Sequence, residues 1–211
     1  SVGTAFLLSS LYYQYYHQES VTDSELRDMS RSDINRFDRS ATYCWSPEAA
    51  LVSDVLIAVT IATPVALFAS HDTFQNDFFT LTVMYAQAMM YSVAFNQFVK
   101  VISKRPRPYV YNDNSDISQA KKTAEDSRNS FYSGHMSQGI TAALFFSTVF
   151  AEYYPNSVWK PLVWTASLLS VSAIGFLRYY AGKHYPTDLL AGAAMGCVTG
   201  LTLPAIHKQS R

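Results

Sequence analysis

Five long apolar stretches dominate the chain, at 47–70, 78–103, 134–153, 158–178 and 186–206. They lack the strict alternation and the Gly, Pro and Asn punctuation of strands, so the pattern predicts helices. Each approaches the roughly 20 residues a helix needs to cross a bilayer. Polar residues interrupt two of them: Asp54 in the first, and Gln87, Asn96 and Gln97 in the second. A membrane tolerates such residues when they face the interior of a bundle. A soluble all-α core with long helices competes as a reading of the same pattern.

The remaining segments are polar. In 17–46, Arg27, Arg31, Arg36 and Arg39 stand among acids. Thr22 and Glu25 have the spacing of a capping box, and Ser32 to Asn35 looks like a second helix start, so short helices are expected there. The stretch AFLLSSLYYQYY (5–16) reads as the end of a membrane segment or as a peripheral helix, and Ser1 in place of an initiator Met points to a removed upstream segment. The polar insert 109–130 reads either as a solvated loop or as a lid over a site. The expected organisation is a single domain over 1–211, with the helical core at 47–207.

Composition sharpens this picture. Lys and Arg together number 16, as do Asp and Glu, so no net charge argues for nucleic acid. Charged residues make up 15%, where about 25% is usual for a soluble domain. With 15 Tyr and 13 Phe, that balance fits a membrane interface. Cys44 and Cys197 do not fix a redox compartment, and Cys197 reads as a buried free thiol.

Chemistry concentrates in three clusters. KVISKRPRP (100–108) ends a helix with cations, which complement the helix dipole even without a ligand. Ser133-Gly134-His135 opens the next helix, where it would cap the helix and let backbone N–H groups approach an anion. In the third, Arg178 precedes His184 by six residues and Asp188 follows by four. A carboxylate there can accept one ring N–H and aim the other nitrogen at a substrate. Counting helices brings all three clusters to one end of an up-down bundle. Two histidines, three long cations, a helix N-terminus and a carboxylate are the parts for binding a phosphoryl group and transferring it through histidine.

The clusters resemble the motifs of the type 2 phosphatidic acid phosphatase superfamily, which also includes bacterial class A acid phosphatases and vanadium haloperoxidases. Those motifs are Lys-x6-Arg-Pro, Pro-Ser-Gly-His and Ser-Arg-x5-His-x3-Asp. Here they read Lys100…Arg107-Pro108, Tyr132-Ser133-Gly134-His135 and Leu177-Arg178…His184…Asp188. Arg105-Pro106 is out of register, because Phe98 stands seven residues before the Arg. Tyr132 and Leu177 depart from the pattern, and Tyr132 is expected to alter the pocket mouth.

The resemblance implies an all-α, membrane-embedded bundle of about five core helices with the active site at one end. It implies that His184 attacks phosphorus, that Asp188 holds its ring, and that His135 protonates the leaving oxygen and then activates water. Lys100, Arg107 and Arg178 would bind the phosphoryl oxygens, with Ser133 and Gly134 completing the cradle. No metal and no cofactor is implied. The substrate expected is a lipid phosphate monoester or pyrophosphate, of the phosphatidic acid, phosphatidylglycerol phosphate, polyprenyl pyrophosphate or lipid A type. Two other activities compete: a soluble acid phosphatase acting on small phosphomonoesters, and a vanadium haloperoxidase.

Family resemblance favours a bacterial inner membrane with the site facing the periplasm, or a soluble periplasmic enzyme. The positive-inside rule points the other way, since all Lys and Arg except Lys160, Lys208 and Arg211 fall at the site end. His17, His71 and His207 have no motif partner and read as surface residues. The tyrosine pairs at 12–13, 15–16 and 153–154 read as packing or interfacial, while Tyr179 and Tyr180 lie within the third motif. Trp159 and Trp164 suit a membrane interface or a core.

Overall fold

The computed structural model describes residues 19–206 together with Ser9. His17, His207, both early tyrosine pairs and the 5–16 stretch apart from Ser9 lie outside the described residues. Among those described there is no strand, and five long helices form the bundle: α1 (Pro47–Ser70), α2 (Phe78–Ser103), α3 (Gly134–Tyr153), α4 (Lys160–Tyr180) and α5 (Pro186–Ile206). Local chemistry sets their starts. Ser46 caps α1 by accepting the Ala49 N–H, with Pro47 in the first turn. Ser133 caps α3 in the same way, accepting from Met136. Helix α4 begins at Lys160, two residues later than the hydrophobic pattern predicts, with Pro161 in its first turn.

Helix α3 lies at the centre and packs against the other four. Those four supply the segments long and apolar enough to cross a membrane, at Pro47–Ser70, Phe78–Tyr111, Lys160–Tyr180 and Pro186–Ile206. Large apolar side chains face outward: Leu51, Val55 and Val59 on α1, Phe95 and Ile102 on α2, Leu169 and Phe176 on α4. The buried positions instead include Ser53, Ser92, Asn96, Ser137, Thr141, Ser147 and Thr199. In water this arrangement would leave broad apolar patches exposed. In a bilayer, acyl chains solvate the outer faces, and small residues with interhelical hydrogen bonds hold the helices together. Thr141 bonds to Thr199 at 2.6 Å, Thr60 to Ser170 at 2.9 Å and Ser147 to Ser167 at 3.0 Å. The bundle is therefore built for a membrane rather than as a soluble core. Of the polar interruptions in α2, Asn96 is buried and donates to the Tyr132 carbonyl at 2.7 Å, whereas Gln87 is exposed.

One contact in the bundle is closer than the rest. Gly192, Gly196 and Gly200 recur once per turn along α5 and face α3. A Cβ at these positions would come within 2.6 Å of the Ser133 carbonyl oxygen, 2.6 Å of Ser137 O and 2.9 Å of Thr141 O. Only glycine lets the two backbones touch. This stripe brings the first turn of α5 against the first turn of α3.

At that same end residues 19–46 and the 104–133 region form a polar cap with its own small core of Val21, Tyr109, Val110 and Ile117. Thr22 and Glu25 form the predicted capping box. The second start lies two residues earlier than predicted, because Ser30 rather than Ser32 caps the turn Arg31–Asp33. The 109–130 insert is folded into short helical turns at Pro108–Tyr111, Gln119–Lys122 and Glu125–Arg128. At the opposite end, Phe68, Phe74, Tyr85 and Phe145 form an aromatic core, and exposed His71 bonds to the Tyr154 hydroxyl at 2.8 Å. Cys44 and Cys197 are both free and half-buried.

The glycine stripe carries a prediction. Gly196→Leu should destabilise detergent-purified protein by about 1–3 kcal/mol, because the added side chain forces α5 away from the α3 backbone. Thermal unfolding should show a lowered midpoint, while the same substitution at exposed Ala194 should leave it almost unchanged.

Candidate active site

The turn from α4 to α5 is fixed by one glycine. Gly182 has φ +67°, and a Cβ there would lie 2.2 Å from the Cys44 carbonyl oxygen. Its own carbonyl accepts the Tyr109 N–H at 3.0 Å. The turn is thus held between the N-terminal segment and the polar insert, with the next two side chains directed inward. His184 is fully buried there.

The surroundings of His184 define its tautomer. Nδ1 lies 2.8 Å from the Ser130 carbonyl oxygen, which can only accept, so Nδ1 carries the hydrogen. Nε2 keeps its lone pair and sits 3.4 Å from Nη1 of Arg107. Burial, followed by the charges of Arg107, Arg178 and Lys100, holds the His184 pKa well below its ordinary value. At neutral pH the ring is an uncharged imidazole whose Nε2 accepts a long hydrogen bond from Arg107.

The sequence assigns the ring contact to Asp188, but the geometry is less direct. Asp188 Oδ2 is 3.6 Å from His184 Nδ1. That oxygen accepts the Ser130 hydroxyl at 2.5 Å and the Tyr185 N–H at 2.9 Å, while Oδ1 accepts from Arg105 at 2.6 Å. Ser130 therefore stands between the two residues, with its hydroxyl on the carboxylate and its carbonyl on the imidazole. Arg105, the arginine out of register with the first motif, also reaches Thr187 Oγ1 and Asp38 Oδ2, each at 2.8 Å. Buried Asp38 accepts the Thr187 N–H at 3.0 Å, and the Arg105 guanidinium lies 4.0 Å above the Tyr185 ring. This network fastens the polar cap to the first turn of α5. Removing one partner of a buried ion pair typically costs 3–5 kcal/mol, because the other charge is left buried and unpaired.

The cations converge beside His184. Arg107 holds Asp126 through Nη2 at 2.7 Å and the Lys183 carbonyl through Nη1 at 3.0 Å. Arg178 reaches Ser53 Oγ at 3.2 Å and Asp54 Oδ1 at 3.0 Å, while its buried Nε has no hydrogen-bond partner among the described residues. Lys100, half-buried, is close enough to interact with the charges of Arg107 and Arg178. His135 donates from Nε2 to Asp54 Oδ1 at 2.8 Å. Ser133 donates its N–H to the Asp188 carbonyl at 3.0 Å, joining the starts of α3 and α5. Gly134 is buried against Asn96, whose Oδ1 would lie 2.8 Å from an added Cβ. All eight residues singled out in the sequence thus gather at one end of the bundle.

A profile of the PAP2 superfamily matches residues 81–211, which include all three motifs. The chain belongs to the PAP2 superfamily. It is 26% identical over 117 residues to the lipid A 4'-phosphatase of Porphyromonas gingivalis, a match covering 55% of this chain and 46% of that protein. The chain thus spans about half the length of this curated relative. Its fold is similar to that of the transmembrane PAP2-type phosphatidylglycerolphosphate phosphatase from Bacillus subtilis. The TM-score is 0.57 at 17% identity, over 99% of this chain and 98% of that one. At this identity the likeness shows the fold.

Several residues of this PAP2 site escape a motif reading. Asp54 looked like an interruption in an apolar run, yet it touches both His135 and Arg178. Asp126, from the polar insert, lies 2.7 Å from Arg107 and 3.6 Å from Lys183. Burial, then the charge of Arg107, lowers the Lys183 pKa to about 8. Ser130 lies two residues before the second motif, and Arg105 occupies an unspecified position within the first. The adjacency of Ser130 to Phe131-Tyr132-Ser133 was the one signal in the sequence that placed it near the site.

A buried neutral histidine makes stability depend on pH. The folded-state pKa of His184 lies below its ordinary 6.5, so the unfolded chain binds the extra proton first. Its contribution is fully present above pH 6.5 and is lost as pH falls toward the folded-state pKa. The thermal midpoint should fall between pH 7 and pH 5, and His184→Gln should flatten that dependence. Parallel pH profiles of the two proteins would contradict the assigned protonation state.

Proposed function

We propose that this chain is a phosphatase of lipid phosphates that works through a phosphohistidine on His184, without a metal. The observation that carries this reading is the His184 imidazole, with Nδ1–H bound to a carbonyl and the unprotonated Nε2 accepting only a long hydrogen bond, 3.4 Å, from Arg107. Nε2 attacks phosphorus, and the bond from phosphorus to the leaving oxygen breaks. His135 gives its proton to that oxygen. Water then attacks the phosphohistidine, passes a proton to His135, and releases phosphate and neutral His184. Lys100, Arg107 and Arg178 offset the negative charge on the phosphoryl oxygens throughout. Arg presents a planar fork to phosphate, and the unpartnered Nε of Arg178 is a donor ready for one of its oxygens. Ser133 and Gly134 add the positive end of α3 to the cradle. Asp188 supports the nucleophile through Ser130.

Two observations support a lipid substrate over a small soluble one. The outer faces of the bundle are apolar, which puts the site at the rim of a bilayer. A cleft of about 260 Å³ between α1, α3 and α4 is lined by Leu56, Val59, Ala142, Phe146, Val163 and Ala166. It lies farther along these helices from the site end, where an acyl chain can follow its headgroup. Both relatives named above are described as phosphatases of lipid-linked phosphates, which favours the same class here. The proposed setting is a bacterial inner membrane with the site facing the periplasm, on family resemblance.

The test is phosphate release by detergent-purified protein. The panel comprises phosphatidic acid, phosphatidylglycerol phosphate, a polyprenyl pyrophosphate, lipid A and a soluble phosphomonoester. At least one lipid phosphate should be preferred, turnover should fall at least ~10³-fold in His184→Ala, and vanadate should inhibit. Turnover retained by His184→Ala, or a preference for the soluble ester, would overturn the proposal.

A further inference from the structure

Asp54 is an unusual residue for its position. It stands in Ala49–Ile57, where every neighbour except Ser53 is apolar. A carboxylate within a membrane-crossing helix is costly and marks function by default. The helix dipole gives no reason for it, because the residue lies beyond the first turn of α1, where that effect fades. Its pairing supplies the reason. A single oxygen, Oδ1, accepts from His135 Nε2 at 2.8 Å and from Arg178 Nη1 at 3.0 Å. The neighbouring Ser53 hydroxyl accepts from the same Arg178 nitrogen at 3.2 Å. One turn of α1 thus braces a cation of the phosphate cradle and the histidine proposed to move the proton.

The charges around His135 show why a brace is needed. Arg178 and Lys100 both act on its ring, and Asp54 is the carboxylate among its interacting groups. When His135 carries its second proton, it becomes one more cation beside these. A ring facing that repulsion needs a fixed anion to stay in place while it awaits the leaving oxygen. Asp188 is committed to Ser130, Tyr185 and Arg105 and serves the nucleophile instead.

We propose that Asp54 is a positioning residue for proton transfer: its Oδ1 sets the His135 ring and ties it to Arg178. This inference rests on the phosphatase reading above. The carboxylate acts on catalysis rather than on phosphate affinity, since Ser53 holds the same Arg178 nitrogen and is left in place by the substitution.

The experiment compares Asp54→Asn with wild type in detergent, using dispersed phosphatidic acid as substrate and inorganic vanadate as inhibitor. Asn keeps the shape and removes the charge. The expected result is a kcat lowered about 10- to 100-fold, part of the range that acid–base catalysis supplies, with KM and the vanadate inhibition constant within about threefold. The retained vanadate affinity also reports a folded site. If Asp54→Asn cannot be purified folded, Asp54→Ser is read against the same criteria. An unchanged kcat overturns the inference. So does tighter vanadate binding with kcat retained, which would mean that the carboxylate merely rests in the anion's seat. Loss of vanadate affinity together with kcat would mean a general structural role and also overturns it. If wild type is inactive on phosphatidic acid, the comparison uses the lipid phosphate of the panel above that it hydrolyses fastest, and inactivity on the whole panel would instead remove the phosphatase reading, and this inference with it.

Discussion

Ser133 donates its N–H to the Asp188 carbonyl at 3.0 Å, and beneath that bond Gly192 and Gly196 let α5 rest directly on the α3 backbone. The rest of the site depends on this contact. It brings two helix N-termini side by side, and with them His135 at one start and the His184–Asp188 turn at the other. A side chain in the stripe would separate the starts by the width of at least a methyl group, and catalytic geometry does not tolerate displacements of that size. The membrane makes the device necessary. Lipid tails solvate apolar faces as well as a protein core does, so close backbone approach and interhelical hydroxyl bonds carry the packing instead.

On that frame the site is a balance of charges, in which Arg107, Arg178, Asp38 and Asp188 are buried and Asp54 and Asp126 reach solvent. Each arginine leans on a carboxylate: Arg105 on Asp188 and Asp38, Arg107 on Asp126, Arg178 on Asp54. Buried charges left unpaired would be far more costly than these pairs. The pairs do not use every donor, however. The Nε of Arg178 stays without a partner among the described residues, and His184 stays neutral because burial, and then the charges of Arg107, Arg178 and Lys100, disfavour a further cation there. An anion with several oxygens suits such a place, with the uncharged imidazole of His184 beside it.

Much of this was legible in the sequence, because it follows from spacing along one chain. The apolar runs gave α1, α2, α3 and α5 to the residue, since caps such as Ser46 and Ser133 and Pro186 stand where the runs begin. The three motifs identified the residues that gather at one end. What stayed hidden depends on partners far apart in sequence. Asp54 and Arg178 are separated by 124 residues, and Ser130 and Asp188 by 58. No local pattern records such pairs, so Asp54 read as a flaw in a helix and Arg105 as a stray cation. The Asp188–His184 contact was inferred from four-residue spacing. That spacing put the two within 3.6 Å, but it could not show that the Ser130 carbonyl takes the ring hydrogen. The glycine stripe was present as a plain repeat, yet its meaning depends on which helix lies opposite.

The central claim is that Nε2 of His184 becomes covalently attached to phosphorus. The most direct measurement is rapid acid-free quenching of the protein with a ³²P-labelled lipid phosphate, followed by peptide mapping. The account predicts label on the peptide containing His184, stable to alkali and released by acid, as a phosphoramidate bond requires. Turnover without labelled protein, or label on a peptide lacking His184, would contradict it.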